Sequence, residues 1–199
     1  ALSAVVDRYA ANGWRVEAAF EMEFYLLSAT TPELVPLWSG RPGGNTLSVT
    51  ALDEAEAFFN DLYAGAEAMG LDIGDAISEA GAGQFEVTLT HTDPLAVADT
   101  AWLFRMLTEG LARKHGATAT FAPKPFAEQT GTGLHVHFSL WDQKSDRNLF
   151  DDGETGSEML RQSVAGCLAA MPASTLIFAP FTNSYDRFVD EAHAPTAVA

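Results

Sequence analysis

The chain predicts an α+β fold, a largely antiparallel sheet with helices packed on one face, and three observations predict it. Three separated stretches alternate apolar residues with carboxylates or imidazoles: Phe20-Glu21-Met22-Glu23-Phe24, Phe85-Glu86-Val87-Thr88-Leu89 and Leu134-His135-Val136-His137-Phe138. Period-two alternation is the signature of a strand with one buried face. Strands and helices then follow one another in runs and not in strict alternation, which favours α+β over a doubly wound parallel sheet. Finally, 47 % hydrophobic residues in 199 provide one sizeable core for such helices to cover.

Leu2, Val5, Val6 and Tyr9 fall at helical spacing in residues 1–12, with Gly13 as the stop. A strand is predicted over Trp14–Leu27, then a Pro-, Gly- and Ser-rich stretch over 28–50 with a turn at 41–45. Thr50 and Asp53 resemble a capping box for a helix over Leu52–Met69, its buried stripe Ala55, Phe58, Leu62, Ala66 and Met69. Strands follow near Asp72–Ser78 and Gln84–Thr90. Asp93-Pro94 combines an N-cap with a first-turn proline, opening a long helix to His115 that Gly116 ends. Ala119–Ala122 reads as a strand, 123–125 as a Pro-Lys-Pro loop, and the histidine strand runs to Trp141. After the polar turns of 142–156, Ser157 starts a last helix expected to stop at Met171-Pro172. Residues 163–181 carry no charge, but Pro172 and Pro180 divide them into helix, turn and strand, so they read as core and not as a membrane span.

Lys plus Arg number 11 against 27 Asp plus Glu, a net charge of -16, which excludes a basic patch for nucleic acid or an anionic membrane. Most of those carboxylates read as a solvated surface. A single cysteine, Cys167, allows no internal disulfide and points to a reducing cytoplasm; its apolar helical context reads as a buried small side chain.

Glu21 and Glu23 share one strand face. A surface ladder is the commoner fate of such a pair, but the flanking Phe20, Met22, Phe24, Leu26 and Leu27 mark a core strand, where two unpaired charges are costly. Divalent metal ligation fits better. Glu79 and Glu86 flank a glycine loop, Ala80-Gly81-Ala82-Gly83, which is compatible with either a ligand cradle or a plain turn. His135 and His137 at i and i+2 follow Gly131-Thr132-Gly133, whose backbone N–H groups suit an anion. His91 and His115 lack such context and read as surface residues.

Together these stretches resemble the glutamine synthetase superfamily. The resemblance rests on Glu21-Met22-Glu23-Phe24, Glu79 through Glu86, Thr120-Phe121-Ala122-Pro123-Lys124-Pro125, Gly131 through Trp141, and Ala179 through Arg187, in the family's order across nearly the whole chain. It implies a curved, half-barrel sheet as in guanidine kinases and a two-metal ligase site using ATP with Mg²⁺ or Mn²⁺. By similarity, Glu23, Glu79 and Glu86 hold the ion beside the amino acid, and Glu21 and His135 the ion beside the phosphates. His137 then contacts the phosphates, Ser139 and Lys124 the nucleotide, and Gly131 and Arg187 glutamate. The implied reaction phosphorylates the γ-carboxylate of glutamate, and an amine or ammonia then displaces phosphate.

Two departures concern the acceptor. Thr130 stands where the family's glycine loop typically begins with Asn, and Asp190-Glu191-Ala192-His193-Ala194-Pro195 stands where ammonia-using members read Pro-Gly-Tyr-Glu-Ala-Pro. His193 thus aligns with the glutamate that binds and deprotonates ammonium, unless Glu191 takes that role. This favours a γ-glutamyl-amine ligase over a true glutamine synthetase. The resemblance also implies an N-terminal β-grasp domain and further C-terminal ligands outside residues 1–199, a homo-oligomeric intact protein, and an inactive isolated piece. A non-catalytic homologue that senses nucleotide or glutamate, and a carboxylate or guanidine kinase sharing the half-barrel, are the competing classes.

Overall fold

A computed structural model of the chain describes residues 1–29, 35–37 and 45–188. Its centre is a five-stranded sheet in which every pairing between strands is antiparallel. Strand β1 (Trp14–Ser28) is the longest and organises the rest. One of its edges pairs with β3 (Gln84–Thr92), and β3 in turn with β2 (Ile73–Ser78). Its other edge is shared end to end: β5 (Leu134–Asp142) pairs with residues 14–22, and β4 (Ala117–Thr120) with residues 25–28.

Register puts like with like. Met22 faces Val87 and Phe24 faces Phe85, while Glu23 faces Glu86 and Glu21 faces His135. Directly paired residues point to the same side of a sheet, so one face is apolar and the other polar. The apolar face is covered by α3 (Glu56–Met69) and α4 (Pro94–Lys114), forming a core that includes Phe24, Leu62, Phe85, Val87, Leu89 and Phe104. Phe24 is the hub. Its ring centroid lies 5.6 Å from that of Phe121 and 6.3 Å from those of Phe58, Phe85 and Phe104. Each such pair adds about 0.5–1.5 kcal/mol beyond burial. Asp93 caps α4 by accepting from the backbone N–H groups of Leu95 and Ala96, as the Asp-Pro signal predicts.

Several expected boundaries move. Ser48, not Thr50, is the N-cap before Leu52: its hydroxyl accepts from Ala51 N and starts α2 (Val49–Glu54), and Ala55 breaks the helix before α3. Ala55, Phe58, Leu62 and Ala66 are buried as expected, joined by Phe59, whereas Met69, the last residue of α3, is 44 % exposed. Strand β4 begins two residues before the expected Ala119 and ends at Thr120. His115 is not a plain surface residue; its Nε2 lies 2.9 Å from Asp61 Oδ2, and its ring stands edge-on to Phe58.

The largest correction is α5 (Glu158–Phe178), which follows the short α1 (Leu2–Ala10) and the others in chain order. Ser157 caps it as expected, but it runs through Pro172 to Phe178, where a turn and strand were predicted. The missing proline N–H costs one rung of the ladder, and Thr175 Oγ1, 3.2 Å from both Met171 O and Pro172 O, supplies a donor just beyond it. No residue of α5 is buried: Leu176, Ile177 and Phe178 are exposed, and so is Cys167. The core reading of 163–181 therefore fails for the helix, whereas Ala179 just beyond it is buried. Leu134, Val136 and Phe138 likewise sit on the apolar side of the sheet yet are 53, 52 and 41 % exposed, because α4 packs against β1, β3 and β4 and not against β5.

Candidate active site

Alternation along β1, β3 and β5 delivers the predicted groups to one open face. Glu21 sits between the two histidines of the next strand, Oε2 2.7 Å from His135 Nδ1 and Oε1 2.9 Å from His137 Nε2. One donor atom from each of Glu21, Glu86 and His135 lies within 4.8 Å of the other two. Glu23 and Glu86 are Cα partners and are 9 and 8 % exposed, so they form the floor; the histidines, more than half exposed, form the rim.

The crowding is visible in protonation. Burial pushes the Glu86 carboxyl up from 4.5 to about 7, and Glu21, Glu23 and Glu79 push it further in the same direction while His135 opposes them. Glu79, at the end of β2 where Ile77 faces Glu86, therefore belongs to the same field of charge. The structure thus brings Glu21, Glu86 and His135 together, with Glu23 paired to Glu86 and the Glu79 charge acting on it.

This donor set fits a hard divalent cation. Two carboxylates and one imidazole within 4.8 Å of one another, with the carboxylates of Glu23 and Glu79 acting on the same group, match the oxygen-rich ligation of Mg²⁺ or Mn²⁺ and not the thiolate or multi-histidine sets of zinc. A cation would also offset the burial and the like charges that push the Glu86 carboxyl up.

The glycine loop is built around Glu23. Gly133 N donates to Glu23 Oε2 at 2.8 Å, and a Cβ on Gly133 would stand 2.6 Å from Glu23 Oε1, so only glycine permits the approach. A Cβ on Gly131 would stand 2.8 Å from Arg187 Cγ and Nε. The predicted substrate-contact pair, Gly131 and Arg187, is thus in contact across the loop. Arg187 ends a short 3-10 turn, Thr182–Arg187, that Asn183 pins by accepting from Lys124 N at 2.8 Å and donating to Lys124 O at 2.9 Å. The Lys124 ammonium donates to the Gln129 carbonyl, which closes the loop from below. Ser139, further along β5 than the histidines, accepts from Trp141 Nε1 at 2.9 Å and keeps its own proton for another acceptor. His193 and Glu191 lie outside the described residues.

Two participants were not foreseen. Gln84, 1 % exposed, donates from Nε2 to Glu23 Oε2 and to Gly131 O, both at 3.0 Å, and accepts at Oε1 from Gly81 N and Thr130 Oγ1. Tyr25 donates from its hydroxyl to Thr130 O at 2.7 Å, and burial pushes that phenol up from its ordinary value. Both were detectable: Tyr25 continues the Glu21, Glu23 spacing, and Gln84 precedes Glu86 by two.

The whole chain, residues 1–199, matches the family described as the glutamine synthetase catalytic domain. It is 35 % identical over 187 residues to the γ-glutamylputrescine synthetase PuuA of Escherichia coli, covering 89 % of this chain and 40 % of that protein. It is 34 % identical to the glutamate–methylamine ligase of Methyloversatilis universalis, covering 92 % of this chain and 42 % of the relative. The solved structure of a GmaS/ADP complex superposes with a TM-score of 0.84 at 28 % identity, covering 100 % of this chain and 45 % of that one. The chain therefore spans about two-fifths of the length of the curated relatives it matches. With the carboxylate–imidazole face, the glycine loop and the fold all in agreement, the chain belongs to the glutamine synthetase catalytic-domain family.

Proposed function

We propose that the protein containing these residues is an ATP-dependent ligase that joins the γ-carboxylate of glutamate to an amine. The observation that carries it is the clustering of Glu21, Glu86 and His135 on one open face, with Glu23 paired to Glu86 and with burial, then the charges of Glu21, Glu23 and Glu79, pushing the Glu86 carboxyl up to about 7. Glu23, Glu79 and Glu86 would hold one Mg²⁺ or Mn²⁺ near the amino acid, and Glu21 with His135 a second near the phosphates. Glu86, close to Glu21 and His135, stands at the boundary between the two sets.

Bound divalent ions neutralise charge on a transferring phosphoryl group. The remaining work falls to the chain's own groups. Arg187, in contact with Gly131, grips and orients the glutamate carboxylate. His137 would donate to phosphate oxygens from the rim, and Ser139 and Lys124 would contact the nucleotide. The γ-carboxylate attacks the terminal phosphorus of ATP and ADP leaves, giving an acyl phosphate. The amine then attacks the acyl carbon, phosphate leaves, and one proton is lost from nitrogen.

The acceptor is inferred to be an organic amine. His193 in place of the ammonium-binding glutamate of ammonia-using members supports this, because an imidazole does not hold a small cation as a carboxylate does. The names of the two relatives, one for putrescine and one for methylamine, lie in the same direction. We further propose a cytoplasmic, homo-oligomeric protein in which residues 1–199 form part of a larger catalytic domain. No described helix is long and apolar enough to cross a membrane, and a net charge of -16 disfavours nucleic acid.

The deciding experiment measures ADP release by the intact protein with Mg²⁺, glutamate and, in turn, ammonia, methylamine, ethanolamine or putrescine. An amine-dependent turnover well above that with ammonia is expected. Turnover with ammonia alone would overturn the acceptor, and ATP binding without phosphate release would overturn the ligase itself.

A further inference from the structure

We infer that Gln84 is a positioning residue that couples the metal-facing carboxylate Glu23 to the glutamate-binding loop through one buried amide. The inference rests on the ligase reading above and assigns this residue a role within that site. Four hydrogen bonds use the whole amide: Nε2 donates to Glu23 Oε2 and Gly131 O at 3.0 Å, and Oε1 accepts from Gly81 N at 3.0 Å and Thr130 Oγ1 at 2.5 Å. The four partners come from three segments: β1, the glycine turn before β3, and the loop before β5. Gln84 itself is 1 % exposed.

The chemistry of the partners gives this arrangement its meaning. Glu23 Oε2 receives two donors, from Gln84 and from Gly133 N at 2.8 Å, so that oxygen is committed and Oε1 is the atom left for a cation. Carboxylate ligands held in this way are more strongly oriented, and loss of the holding donor typically costs 10–100-fold in metal affinity. The same Nε2 fixes the carbonyl of Gly131, the residue packed against Arg187. Thr130, where the family typically has Asn, turns its hydroxyl inward onto Gln84 and is held from the other side by Tyr25. The loop's first side chain is therefore occupied in the interior, and its grip on the amino acid depends on where Gln84 and Tyr25 set the backbone. A displaced amide would move the ligand and the loop together.

The test uses the intact protein and two variants of near-native size, Gln84→Met, which deletes all four bonds, and Gln84→Glu, which keeps an acceptor for Gly81 N and Thr130 Oγ1 but removes the donor beside Glu23. Mn²⁺ affinity is read by electron paramagnetic resonance without substrates, alongside KM for glutamate, KM for ATP, kcat and melting temperature. Both variants are expected to lose tenfold or more in Mn²⁺ affinity and to raise KM for glutamate far more than KM for ATP. Gln84→Met alone failing to fold leaves Gln84→Glu to decide. A folded variant with Mn²⁺ affinity and KM for glutamate within twofold of the parent overturns the inference, since a purely structural residue would move only stability. A parent that binds no Mn²⁺ overturns this and the ligase reading together; a parent that binds it while the variants are unchanged overturns this one alone.

Discussion

Neutralising Glu86 separates what the charged face contributes to folding from what it contributes to metal binding. In the metal-free protein its carboxyl titrates at about 7 instead of 4.5, a rise of about 2.5. At about 1.4 kcal/mol per unit the ceiling is roughly 3 kcal/mol; solvent on the open side of the face screens part of this, leaving about 1–3 kcal/mol. The sign follows from proton linkage. The folded state holds this proton more tightly than the unfolded chain, so the associated stability is fully present below pH 4.5, falls as pH rises, and is gone above about 7. Glu86→Gln carries a neutral group of the same size at every pH. In EDTA it should match the parent near pH 4.5 and exceed it by about 1–3 kcal/mol at pH 8, a gain of several degrees in melting temperature. Saturating Mn²⁺ should reverse the order, because the parent gains a ligand that the variant lacks. Thermal melts of both proteins from pH 4.5 to 8, with and without Mn²⁺, measure this. Parallel pH profiles in EDTA would refute the claim that burial and the neighbouring carboxylates push the Glu86 carboxyl up.

Apparent Mn²⁺ affinity at constant ionic strength should climb up to tenfold per pH unit below 7 and flatten above it, because Glu86 must lose its proton to ligate; a flat titration from pH 5.5 to 7 would contradict this. Gly133→Ala should weaken Mn²⁺ binding at least tenfold, because the added Cβ stands 2.6 Å from Glu23 Oε1, whereas Gly166→Ala in exposed α5, where nothing lies within 4 Å, should leave binding unchanged. Asp93→Ala should cost about 1 kcal/mol in chemical denaturation by uncapping α4, with no effect on metal affinity.

What could be read from the sequence was whatever a backbone period or a cap enforces locally. Glu21, Glu23, Glu86, His135 and His137 reach one face because strands alternate, and the two-residue period needs no knowledge of partners. Asp93 and Ser157 start their helices by bonding their own N–H groups. What failed depended on neighbours. Leu176, Ile177, Phe178 and Cys167 have the hydropathy of a core but are exposed, because hydropathy states what a side chain prefers and not what lies against it. Pro172 was read as a stop, although a single lost hydrogen bond did not outweigh the helix on either side. Gln84 escaped notice because its role resides in partners 61 and 47 residues away in sequence. His193 lies outside the described residues.

Because β1 carries Glu21 and Glu23 on one side and Phe20, Met22 and Phe24 on the other, its alignment with β3 and β5 cannot slip by a single step without exchanging them. Such a slip would drive two carboxylates into the aromatic interior and leave three large apolar groups in water. Correct folding of this strand thus doubles as quality control for the chemistry: a molecule that has acquired its interior has already assembled its charged face. Inherited change is then channelled toward the loops, where a residue can be exchanged without putting the strand alignment at risk.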